Sequence, residues 1–235
     1  MSFSSGRSDL YAEIEEQFFV LKRMVQEVPE LIRKSFQETG HHIQKEALKI
    51  GGGDKDMEHS TFSALYNLYG MDGEGIILDN TYKAIAVVIY SSYETYVAAI
   101  AKWAKCLFIK RRFLCCIRCS RKRDNLIIRY IKYLKKRHKL ILQSQSDIDE
   151  IYYKYRRFRN MIVHNLNGSN INKKTKNILK DKKGVVFTQE GAVVIKSPEY
   201  LIDTIKIMEN ILRELISKLE KVISLSDTKN QNDDK

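Results

Sequence analysis

Arg156, Arg157 and Arg159 stand just ahead of a short apolar step that ends on His164 in the stretch YRRFRNMIVHN, Tyr155 to Asn165. On a helix turning 100° per residue, Ile151, Tyr155, Phe158 and Ile162 fall within about 60° of one another and define a buried face. Arg156, Asn160 and His164 then form an i, i+4, i+8 stripe on the opposite side, with Arg157 beside His164 one heptad away. That grouping suits phosphodiester chemistry. An imidazole with an ordinary pKa of ~6.5 donates or accepts a proton near neutral pH. Arginine grips phosphate oxygens with two donors and offsets the charge that builds on a five-coordinate phosphorus. Asn160, one turn before the histidine, can orient the imidazole or a ribose.

These residues need a partner of opposite charge, and the composition supplies a reason to expect one. The chain of 235 residues holds 41 Lys+Arg against 29 Asp+Glu, a formal charge of +12, which directs attention to an acidic polymer or an anionic membrane surface. Fifteen Lys or Arg fall between Lys102 and Lys139 against one acid, Asp124, interleaved with Phe108, Phe113, Tyr130 and Tyr133. Such a segment neutralises phosphates and releases counterions; its alternatives are a solvated helix face and a membrane-surface patch. Four cysteines, Cys106, Cys115, Cys116 and Cys119, share this region. They contain one CxxC without a second, so ordinary thiols are expected ahead of a zinc site, and no metal or other cofactor is expected.

The elements that must position the arginine–histidine stretch read as mostly helical, given two prolines and 30% charged residues. Ser8 to Leu48 alternates apolar and charged residues at helical spacing, broken or kinked at Pro29. Gly51 to Ser60 reads as a flexible loop, followed by a short helix closed by Gly70 and a second loop. Asp79 or Asn80 is expected to cap a long apolar helix running to about Cys106. Its run from Ala84 to Ala101 carries Glu94 near the middle, which favours a buried core helix over a membrane span. Ser146 or Asp147 is expected to cap a helix from Ile148 to about His164, and Asn170 to Gly184 reads as a surface loop. VVFTQEGAVVIK predicts a hairpin, and Ser197-Pro198-Glu199 a helix start. In the last helix Leu201, Ile205, Met208, Leu212, Leu215, Leu219 and Val222 make one apolar seam, either bundle core or dimer seam. The final residues read as disordered. The start lacks the apolar core of a secretory signal, so a cytoplasmic location without membrane attachment is expected.

RNMIVH, Arg159 to His164, resembles the signature of HEPN-domain ribonucleases, and the apolar helix carrying YSSYETYV and the hairpin before a last amphipathic helix extend the likeness over about Asp79 to Ser224. The resemblance implies a mainly α, up-down helical bundle at 79–224 with a small β-hairpin before the C-terminal helix. It leaves 1–78 as an N-terminal helical extension and 225–235 as a disordered tail. It also implies a homodimer that joins Arg and His of two protomers in one cleft, and metal-independent RNA cleavage by attack of the ribose 2′-hydroxyl. Carried over by position, Arg159 binds phosphate, Asn160 is its polar neighbour, His164 transfers protons, and Glu94 matches an acidic position near the site. Lys154, Arg156 and Arg157 are expected to bind RNA. Arg157 also satisfies the spacing, so either arginine can be the catalytic one. The tyrosine found two residues after the histidine in members paired with a nucleotidyltransferase antitoxin is absent from HNL. The expected role is a toxin or anti-phage effector, with an antitoxin or defence-system protein as a further partner. The alternatives are a non-catalytic module that holds nucleic acid or protein, and a DNA-binding or membrane-surface protein using the basic segment alone.

Overall fold

The apolar seam of the last helix is the spine of the molecule. Leu201, Ile205, Met208, Leu212, Leu215 and Leu219 are fully buried against the chain's own residues, so this seam is bundle core and not a surface for a second copy. The structure is a computed structural model that describes residues 5–107, 126–164, 173–189 and 191–233; for some of these, Cys106 and His164 included, it describes the backbone alone. The fold is mainly α with one two-stranded antiparallel hairpin before the C-terminal helix, as the sequence predicts.

Helix α1 spans Ser5–Gly51 and runs through Pro29 as one helix, the single-helix form of the expected break or kink. Its first half sends Ile14, Phe18, Leu21 and Val25 into the common core. Helix α2 spans Lys55–Leu68 and starts inside the stretch expected to be a loop. Asp54 explains this, since its carboxylate accepts from the amides of Asp56 and Met57 and satisfies two of the orphan donors of a first turn. Gly70, at φ 63°, follows the end of α2, the short helix it was expected to close.

A 3-10 turn at Met71–Gly73 leads straight into α3, Glu74–Leu107. Asp79 therefore lies inside the helix rather than at its cap. Its carboxylate takes a 2.5 Å ion pair from Lys83 and a 2.8 Å hydrogen bond from the Ile195 amide, pinning the hairpin to α3. The domain boundary expected between 78 and 79 falls within α3, and α1 shares the same core. By length and composition α3 could cross a membrane, but half of its most apolar window is buried within the chain. Tyr82, Ile89, Tyr90, Tyr93, Val97 and Ile100 supply that buried surface.

Helix α4, Leu126–His138, follows the segment 108–125, which lies outside the described residues. Then come α5, Gln145–Glu150, a π-turn at Ile151–Tyr155, and α6, Arg156–His164. The start at Gln145 precedes the expected one, and the residues just before it are held from another element. Glu214 of the last helix accepts from the amides of Gln143 (2.6 Å) and Ser144 (3.0 Å) and from the Ser144 hydroxyl (2.5 Å). Glu214 thus anchors the two residues that lead into α5; the amides of Gln145 to Asp147, which a local Ser or Asp cap would take, are not its partners.

Part of the stretch expected to be a loop after Asn170 is helical: α7 spans Lys173–Leu179 and buries Leu179. Strands β1, Val185–Phe187, and β2, Val193–Ile195, pair with Val186 opposite Val194. Gly184 enters β1 at φ 78°, and a Cβ there would meet Ser197 Oγ at 2.3 Å and Ser197 O at 2.8 Å. Only glycine fits that approach. Helix α8 spans Glu199–Asp233 and carries helical backbone through most of the expected tail. Its first turn is closed by the Ile202 amide on Pro198 O, with the Ser197 hydroxyl donating to the Glu199 carboxylate.

Candidate functional site

The arginine–histidine stretch occupies α6, and what precedes it is a π-turn rather than plain α-helix. There the Arg156 amide bonds Ile151 O, five residues back. π-turns widen a helix locally and occur often at functional sites. The buried face is still the one expected: Ile151, Tyr155, Phe158 and Ile162 are each at most 2% exposed.

Tyr155 is the anchor. Its ring stacks on Tyr90 of α3 at 6.3 Å and meets Phe158 and Tyr200 at 5.8 and 5.7 Å. Its hydroxyl donates to Ala86 O at 3.1 Å. Burial pushes that hydroxyl well above the ordinary tyrosine value, so it stays a donor at neutral pH.

Arg159 turns toward α3 instead of bulk solvent. Its guanidinium carbon lies 5.6 Å from the Tyr90 ring centre, and Nη1 donates to Asn160 Oδ1 at 3.0 Å. Cation–π attraction and a directed hydrogen bond hold the planar group in one orientation. Its Nε is buried with no partner among the described residues, and Nη2 makes no recorded hydrogen bond there. Asn160 is half-buried beside it.

Arg157, by contrast, is exposed and has no bond or ring contact among the described residues. Arg156 is half-buried, with its guanidinium 5.3 Å from the ring of Tyr152. Lys154 pairs with Glu150 at 3.5 Å. The stripe is therefore not a uniform solvent face: Arg159 and Asn160 are placed, Arg157 is free to move.

Glu94 is half-buried one turn of α3 beyond Tyr90, the ring that carries Arg159, and makes no ion pair among the described residues. His164 closes α6; its imidazole lies outside the described residues. Of the predicted set, the structure joins Arg159 with Asn160, puts Glu94 on the helix that supports them, and ties Lys154 elsewhere.

The basic segment is only partly described. Lys102, Lys132, Lys136 and Lys139 are exposed, and Lys135 donates to Gln145 across to α5. Tyr130 and Tyr133, interleaved with the basic residues, are partly buried against the core. Phe108, Phe113, Cys115, Cys116, Cys119 and the Cys106 thiol lie outside the described residues. Among the described residues, no group of three or more His, Cys, Asp or Glu side chains is placed to hold a metal ion.

Sequence reasoning missed Tyr90, Tyr152 and Glu214. The three-residue spacing of Tyr90, Tyr93 and Tyr96 is a visible sign of an aromatic face on α3. Which ring would meet which arginine depends on packing between distant segments and leaves no local signal.

The comparisons add no relative: no protein-family model, curated protein or solved structure matches the chain.

Proposed function

We propose that this chain is a metal-independent endoribonuclease of the HEPN type, acting as a toxin or anti-phage effector. The observation that carries the reading is the guanidinium of Arg159, oriented by Tyr90 and Asn160 on the helix that ends at His164. An arginine fixed in one plane binds phosphate oxygens without first losing rotamer freedom, which is what charge stabilisation in a transition state requires.

In the proposed reaction a base removes the proton from a ribose 2′-hydroxyl, whose oxygen forms a bond to the adjacent phosphorus. The P–O5′ bond breaks and the departing oxygen takes up a proton. A 2′,3′-cyclic phosphate and a 5′-hydroxyl result. His164 serves as a proton-transfer group, Arg159 holds the phosphate, Asn160 positions Arg159, and Glu94 tunes the surroundings. Lys154, Arg156 and Arg157 add attraction for the RNA strand. Two protomers contribute to one cleft; because the α8 seam is already core, the shared surface must be built around α6 and α3.

The test is incubation of labelled RNA with the full chain in EDTA beside His164→Ala. Cleavage by the wild type, at least 100-fold slower in the variant, supports the reading. Tight binding with no cleavage by either protein replaces it with a non-catalytic RNA-binding module.

A further inference from the structure

A second feature shares Tyr155 with the site. A cavity of about 210 Å³ opens between the π-turn, the entry to β1 and the first turns of α8. It is smaller than the sites that hold drug-sized ligands and matches a single flat ring system.

Its wall combines three kinds of group. Glu150 and Lys182 stand side by side as an ion pair, with Lys154 holding the carboxylate from its other side at 3.5 Å. Tyr200 and Tyr155 back the wall but are almost wholly buried, and the Lys182 ammonium lies 5.7 Å from the Tyr200 ring centre. Thr204 and Ile207 also line it, as do two further carboxylates, Asp181 and Asp203.

A carboxylate beside an ammonium is a definite pattern of acceptor and donor. Guanine is the nucleobase whose Watson–Crick edge answers it, since N1–H and the N2 amino group donate side by side while O6 accepts. Glu150 can take both donors and Lys182 can reach O6. Adenine offers no adjacent pair of donors, uracil lacks an amino group, and cytosine puts its acceptors where the carboxylate would repel them. Burial pushes the Glu150 carboxyl up, but its bonds from Lys182 and Lys154 outweigh this and leave it below the ordinary value, ionised as the pattern demands.

Position supports the same use. Glu150 precedes Arg157 by seven residues and Arg159 by nine, about 10 and 14 Å along a helix axis, within the span of a short single-stranded segment. Lys154 links the two places, being bonded to Glu150 while sitting in the basic stretch.

We propose that this cavity binds a guanine base of the RNA, giving the protein a base preference a few nucleotides from the bond it cuts. The proposal rests on the nuclease reading for its biological sense, but its test does not. The full chain is titrated with 5′-GMP, IMP, AMP, CMP and UMP, with heat of binding as the readout. GMP is expected to bind at least about tenfold tighter than AMP, CMP or UMP, and IMP, which lacks the N2 amino group, about tenfold weaker than GMP. Glu150→Gln, which keeps the shape, is expected to remove the preference; Ile207→Trp, which fills the cavity, is expected to abolish binding. Melting curves report whether each variant is folded.

Equal affinity for the mononucleotides, no binding by any of them, or GMP binding untouched by both substitutions overturns the proposal. RNA cleavage that depends on His164 without any guanine preference sinks the pocket and spares the nuclease. GMP selectivity in a protein that cuts no RNA does the reverse.

Discussion

Replacing Asp79 by Ala is expected to destabilise the protein far more than an average substitution, because the carboxylate serves two buried groups at once. Lys83 is 5% exposed and its ammonium has a 2.5 Å contact with Asp79. The Ile195 amide bonds the other oxygen at 2.8 Å. Breaking one half of a buried ion pair costs about 3–5 kcal/mol, and an orphaned buried amide adds about 1–3 kcal/mol. Relaxation of the long lysine toward solvent offsets part of that sum, so a loss of about 4 kcal/mol is expected, with a fall in Tm of about 10 °C for a chain of this size. The double substitution Asp79→Ala, Lys83→Met removes the stranded charge and should recover all but about 1–2 kcal/mol, the residue belonging to the Ile195 amide. Urea unfolding of the wild type, both single variants and the double variant closes the cycle. A cost below about 1 kcal/mol for Asp79→Ala, or a double variant no more stable than it, would refute the view that this pair anchors the hairpin to α3.

Other outcomes follow from the same structure. Glu214→Ala releases the Gln143 and Ser144 amides at the entry to α5 and should cost about 1–2 kcal/mol, read as a drop of a few degrees in Tm. Leu212→Ala should cost about 2–5 kcal/mol and leave the mass measured by sedimentation unchanged, because its seam is core within one chain; a folded variant that loses self-association would return the seam to a dimer. Burial pushes the carboxyls of Glu209 and Glu214 up, yet bonds from Lys22 and Arg213 to the first, and from Ser144 and the Gln143 amide to the second, leave both below the ordinary value. A carboxyl depressed in the folded state contributes stability above the unfolded pKa of ~4.3 and loses it as pH falls through the folded value. Melts from pH 7 downward should therefore hold level to about pH 5 and then decline, and a Glu209→Gln, Glu214→Gln variant should decline less. Binding of RNA by His164→Ala should weaken steeply with salt, the slope of log affinity reporting the phosphates neutralised.

Strong periodicity was readable without coordinates. The α8 seam, the burial of α3 and the set Ile151, Tyr155, Phe158 and Ile162 all follow from spacing alone, as does the hairpin from its two β-branched runs. Starts and caps were less legible where a remote group supplies them. Glu214 is 70 residues from Ser144 at the helix entry it anchors, and Asp79, a good cap by type, spends its oxygens on Lys83 and Ile195. α7 was missed because Lys and Asn dominate its sequence while one side chain, Leu179, is fully buried. At the candidate site the residue types were visible, but ideal helix geometry put Arg157 nearest His164. It is the ring of Tyr90, on another helix, that separates a positioned Arg159 from a solvent-facing Arg157. The π-turn before them has no sequence signature and was not foreseen.

The central claim is that a positioned guanidinium at Arg159 stabilises charge on a phosphate being cut. Single-turnover cleavage of RNA by the full chain, Arg159→Lys and Arg157→Lys tests it most directly, since lysine keeps the charge and loses the planar fork. The account predicts a loss of about 100-fold or more for Arg159→Lys and less than about threefold for Arg157→Lys. Equal losses, a larger loss at Arg157, or no cleavage by the unsubstituted chain would contradict it.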